Sequence, residues 1–153
     1  MNIVPNILMM IHILSAILWI GAVFMGSVID WPAIKSQFTE GKFPFRFIVG
    51  QGSRVFPWVY IGILSQIISG IGLTFYFPPT SGTESALLGL KVTCLLIMTG
   101  LTLYGTLSTW PKLQVSTDSE AFIRYRFYII RAYVTCSLGM VGAAAGVIVS
   151  RFI

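Results

Sequence analysis

Three ionisable side chains sit where apolar sequence surrounds them. The only histidine of the chain, His12, interrupts the stretch MMIHILSAILWIGAVF (residues 9–24), which is otherwise apolar nearly end to end. Lys91 lies inside SALLGLKVTCLLIM (residues 85–98), and Arg131 lies near the start of the last apolar stretch. Charged or chargeable groups in a segment that enters lipid are costly, so each is by default a functional candidate. A neutral imidazole in apolar surroundings suits haem iron as an axial ligand; a hydrogen-bonded histidine without metal is the competing expectation. Lys91 would pair with a haem propionate, serve as a second ligand as the free amine, or act as the catalytic proton donor, against the plainer expectation that it snorkels outward towards Glu84. Arg124, Tyr128, Arg131 and Thr135 recur at helical spacing and share a face. Arg131 is therefore expected either to snorkel to headgroups or to bind a propionate or phosphate from the cytoplasmic side. Trp19, seven residues beyond His12 on the same face, would wall a pocket. No second histidine exists to complete an axial pair, which leaves Met140 as the candidate at about the right depth, with Met98 deeper on the Lys91 face. Copper is a further metal expectation, from the soft donors Met9, Met10 and Met25 beside His12.

These groups must be positioned by membrane helices. The sequence is 56% hydrophobic and only 10% charged, where a soluble domain carries about 25% charge. Mean hydropathy is +0.85. At 153 residues one domain, residues 1–153, is expected. Four stretches reach the roughly 20 apolar residues a spanning helix needs: about 3–29, 55–77, 86–107 and 127–150. They lack the alternation of a membrane β-strand, so the fold class is an all-α, integral membrane four-helix bundle, up-down-up-down. The net charge of +5 is concentrated in loops 30–54 and 110–126, while PPTSGTES between the second and third spans has no Lys or Arg. Basic loops face the cytoplasm, which places those two loops inside and both termini outside, with Arg151 the lone exception. The expected setting is a bacterial or archaeal inner or plasma membrane. The first 29 residues are too long in their apolar run, and too poor in N-terminal basic residues, for a cleavable signal. FPFRFIVGQGSRVFPW (residues 43–58) reads either as an interfacial helix or as the early turns of the second span, with Arg54 and Pro57 suiting a helix start. Cys94 and Cys136 fall inside apolar stretches and read as buried small hydrophobes. No internal repeat stands out.

His12 lies seven residues past Pro5, and Lys91 five past Ala86, so at about 1.5 Å per residue both sit in the outer half. In an up-down-up-down bundle the first and third helices are diagonal partners, which aims the two groups across the core. In the last span, Gly139, Gly142, Ala143 and Gly146 form a small-residue stripe of the kind that lets helices approach closely in lipid. It predicts packing within the chain, or contact with a second copy or a partner subunit. Phosphate loops, paired carboxylates within a span and nucleic-acid modules are not found.

HILSAILWIGAVF followed by DWPAI, with LGLKVTCLL in the third span, resembles the four-helix membrane proteins grouped with the copper-resistance D family and their relatives, the bacterial J-type protoporphyrinogen oxidases. The shared marks are His12, Trp19, Gly21 and Lys91. The resemblance implies a four-helix bundle with haem b on His12 and a Lys91 needed for activity. Residues 22–29 read AVFMGSVI, where the J-type enzymes carry a Pro-Arg pair and further histidines, so what carries over is the haem site rather than porphyrinogen oxidation. The expected function is a haem b protein of electron transfer or a haem-linked oxidoreduction. A non-catalytic accessory or scaffold subunit of a larger membrane complex is the alternative, and copper handling the second.

Overall fold

A computed structural model describes residues 3–37 and 42–150. It contains four helices long and apolar enough to cross a membrane, and no strand among the described residues. Helix α1 runs Val4–Phe24, passes through a π-helical turn at Met25–Asp30 and continues as Trp31–Gln37. Helix α2 is Phe45–Tyr76. Helix α3 runs Gly82–Tyr104, has its own π-helical turn at Gly105–Thr109 and ends as Trp110–Gln114. Helix α4 is Asp118–Ser150. Arg151 and Glu40 lie outside the described residues.

The helices outrun the apolar spans that predict them. A helix of 33 residues is about 50 Å long, whereas the hydrocarbon core is about 30 Å thick. The apolar window marks the lipid, and the remaining turns continue into water at one end. Most of the expected loops 30–54 and 110–126 are therefore helix; among the described residues of these loops only 42–44 and 115–117 lie outside one. Residues 45–58 are the early turns of α2, and Pro57 lies inside that helix rather than at its start. At this end, which carries Lys35, Lys42, Arg46, Arg54, Lys112, Arg124 and Arg126, an aromatic cluster holds the extensions together. Trp31 meets Tyr125 at 4.7 Å and Phe56 meets Trp110 at 4.7 Å, both edge-on, and Tyr125 stacks on Tyr128. Gln51 donates to the Asp30 carboxylate, and the backbone N–H of Phe43 donates to Asp118 Oδ1 at 2.8 Å. At the opposite end Ser81 caps α3 by accepting from the Glu84 N–H, while the Glu84 carboxylate accepts from the N–H of Thr80, one residue before the cap, a close variant of the capping box.

The structure exposes a repeat that the sequence conceals. The buried residues Ser15, Trp19, Ser27 and Ile34 of α1 are matched, 79 positions on, by Cys94, Met98, Thr106 and Leu113 of α3. Gly26–Trp31–Pro32 recurs as Gly105–Trp110–Pro111. In each, the Trp N–H bonds back five residues to the Gly carbonyl, and the π register absorbs the proline that follows, which has no N–H to give. In that register Pro32 leaves the Ser27 carbonyl free, and Tyr133 Oη donates to it at 3.1 Å. The hairpins α1–α2 and α3–α4 thus share a set of matched positions, the kind of correspondence parallel repeats in membrane proteins carry. Identity between them is low because lipid-facing positions need only be apolar.

The correspondence fails at one seam. α1 packs closely on α4, but α3 keeps its backbone away from α2. Those two helices meet through side chains: Tyr60 Oη donates to Thr106 Oγ1 at 2.7 Å, and Trp110 lies over Gly52. The glycine stripe of α4 is spent inside the molecule. A Cβ on Gly139 would stand 2.8 Å from Ile20 Cδ1, Gly142 faces Cys94, and Gly146 faces Lys91. Gly139, Gly142 and Gly146 thus serve packing of α4 on α1 and α3, as expected within the chain, while Ala143 of the same stripe is exposed.

Candidate functional site

His12 is half-buried and points into the seam between α1 and α2. Its Nδ1 lies 3.0 Å from Ser69 Oγ, and its Nε2 lies 2.8 Å from Gln66 Nε2. The proton positions follow from the network. Ser15 Oγ donates to Gln66 Oε1 at 2.7 Å, so the amide nitrogen of Gln66 faces the ring and donates to Nε2. Nδ1–H then donates to Ser69, whose hydroxyl donates to the Ser65 carbonyl at 2.5 Å. Every polar atom of the ring is satisfied by α2. Gly70 makes room for it: a Cβ there would stand 3.3 Å from His12 Cε1.

Gln66 and Ser69 are absent from the sequence-based set, in which Ser15 and Gly70 count only as small residues that leave room beside His12. Their signal was legible, since a glutamine between two serines in SQIIS is the most polar turn of an otherwise apolar span and polar side chains bond across membrane helices.

Lys91 occupies the position in α3 that His12 occupies in α1, and it meets Gly146 as His12 meets Gly70. Glu84 is engaged with Thr80 and Ser81, so the expected outward pairing with Lys91 does not form, and among the described residues no group hydrogen-bonds the amine.

No family model, curated protein or solved structure matches the chain. The site therefore stands on its own geometry.

The other predicted residues are not gathered at His12. Trp19 is 1% exposed and packs against Gly62, in a core with Val59, Ile63 and Met98. It is a mid-bundle plug two turns from the imidazole, and its buried Nε1 has no partner among the described residues. Met140 is 60% exposed. Its place on the outer face of α4 removes it as an axial ligand, because the small residues take the inner face. Met9, Met10 and Met25 are likewise exposed, so the soft donors of the copper reading point to lipid. Arg131 lines a separate cavity beside Val23, eleven residues or about 16 Å along α1 from His12. Tyr128, Arg131 and Thr135 do share that cavity-facing side, as their spacing predicts, while Arg124 is exposed.

A haem iron needs a free nitrogen lone pair and room for a macrocycle. In this packing the Nε2 lone pair is taken by Gln66, and the ring edge lies against the most closely packed helix pair. The arrangement does not fit haem unless Gln66 leaves and α1 and α2 part. Among the described residues no cluster of three or more His, Cys, Asp or Glu side chains is present. What the geometry does chemically is lock a neutral imidazole between two helices.

Proposed function

We propose that this protein is a non-catalytic accessory or scaffold component of an inner or plasma membrane, and that its buried polar network fixes helix register. The observation that carries this reading is the use of both His12 nitrogens by α2. Interhelical hydrogen bonds in lipid contribute about 0.6 kcal/mol on average and up to about 1.7, and they also specify which rotation of two apolar helices is the correct one. Ser15, Gln66, Ser69 and His12 form such a register lock.

One observation favours the haem reading as a second proposal. His12 donates its Nδ1 proton to a neighbour, as metal-ligating histidines do, and among the described residues the Lys91 amine has no acidic partner. Haem b supplies one-electron redox chemistry; His12 would hold it and Lys91 would meet a propionate once Gln66 has turned away.

Absorption spectra and thermal unfolding of the wild type, His12→Leu and Gln66→Leu, purified from haem-supplied cells, separate the two. The register-lock reading expects colourless protein in all three cases and a lower Tm in both variants, since each leaves buried polar atoms unpaired. A Soret band in the wild type that disappears in His12→Leu and strengthens in Gln66→Leu overturns it in favour of haem.

Orientation belongs to the same proposal. The basic, aromatic end faces the cytoplasm by the distribution of Lys and Arg. Gly82 is exposed, with open space where a Cβ would go, and both native cysteines are buried. Gly82→Cys should react with a membrane-impermeant maleimide in intact cells; reaction only after permeabilisation inverts the topology.

A further inference from the structure

Near the basic end residues of all four helices line a partly open cavity of about 60 Å³, room for a few water molecules or one tetrahedral oxyanion. Ala22 and Val23 of α1 line it together with Leu101 and Thr102, the residues 79 positions on in α3. The Gly70-to-Gly146 spacing that relates α2 to α4 places Val55 on Arg131 and Val59 on Thr135, and all four line the cavity. Matched walls therefore differ in chemistry. The first hairpin contributes valines; the second contributes a guanidinium and hydroxyls.

The guanidinium is under-used. Its Nη2 donates to Thr109 Oγ1 at 2.8 Å, and its Cζ lies 4.9 Å from the Tyr104 ring centroid. Its Nε is buried without an acceptor, and among the described residues no carboxylate pairs with it. Tyr128 lines the same cavity, and its hydroxyl bonds to no described residue. A guanidinium has five N–H donors in a planar fork that matches the oxygens of an oxyanion, and a permanently charged group at this depth requires a partner. The partner is missing from the protein's own acids, while a space of one-anion size adjoins the donors. The loose seam between α2 and α3 is the side of the bundle where the backbones stand furthest apart, and the opposite wall is apolar.

We propose that this cavity binds one phosphate group, held by Arg131 with Tyr128 as a second donor, and contributed by an anionic lipid headgroup or by free phosphate. The site is independent of His12 and of whether haem is bound there.

Native mass spectrometry of the detergent-purified protein with phosphatidylglycerol, and thermal shift with inorganic phosphate, distinguish the sources. Retention of one phosphatidylglycerol by the wild type, weakened about tenfold or more in Arg131→Gln and unchanged in the exposed Arg126→Gln, supports the site with lipid as its source; a charge-assisted hydrogen bond of ordinary strength corresponds to that factor. The same Arg131 dependence in the inorganic-phosphate shift alone supports the site with the free anion as its source. Ala132→Leu fills the cavity while keeping Arg131, and it should lose the ligand as well, so the test survives if Arg131→Gln does not fold. Binding of either ligand that persists in Ala132→Leu, or absence of both from the wild type, overturns the proposal.

Discussion

Gly52→Ala is expected to destabilise the bundle by about 3 kcal/mol, the upper part of the range for overpacking. A Cβ at Gly52 would stand 2.1 Å from Trp110 Cζ2, 2.6 Å from Cη2 and 2.8 Å from Cε2. The ring cannot easily retreat. Phe56 meets it edge-on at 4.7 Å, Tyr128 lies on it at 5.7 Å, and its own backbone is fixed between a π-helical turn and Pro111. Gly50, two residues earlier on the same helix, has open space where its Cβ would go. There the same substitution should be neutral or slightly stabilising, because alanine orders a helix at less entropic cost than glycine. Thermal unfolding in detergent reads the pair. Equal shifts for the two variants would mean that α2 and Trp110 do not meet as described.

Trp19→Ala carries the second large effect, a loss of about 3 kcal/mol. In lipid the loss comes from dispersion contacts and the cavity left behind rather than from transfer out of water. Trp19 plugs the middle of the bundle between the His12 network and the Arg131 cavity, against Gly62 and Met98. Trp19→Phe tests a finer point. It keeps most of the ring and removes a buried N–H that has no acceptor, and an unsatisfied buried donor costs about 1–3 kcal/mol. The phenylalanine variant should therefore lose less than about 1 kcal/mol. If it melts as low as the alanine variant, Nε1 has an acceptor in the working protein.

The four spans and the all-α class could be read from the sequence because lipid imposes one demand along the whole chain: a run of apolar residues long enough to cross. The ends of the helices could not. Hydropathy falls where the helix leaves hydrocarbon, yet the backbone bonds of residues 45–54 or 110–114 continue, held by an aromatic cluster whose members lie far apart in the chain. The depths of His12 and Lys91 were legible from the rise per residue. The direction of the imidazole was not, because it depends on Gln66 and Ser69 of a second helix whose rotation no single periodicity specifies. The duplication was hidden for a related reason. Its identical residues are few, Leu8, Gly21, Gly26, Trp31 and Pro32 against their partners 79 positions on, and the stronger signal, the matched set of buried positions, exists only once the chain is folded.

The unequal hairpins also have an electrical consequence. A fixed guanidinium on one wall of the cavity, with the apolar Ala22, Val23, Val55, Phe56 and Val59 on the other, makes the interior potential positive at that level. With Trp19 filling the middle of the bundle beyond it, that field acts locally, on whatever occupies the cavity, and not along an open path between the two faces of the membrane.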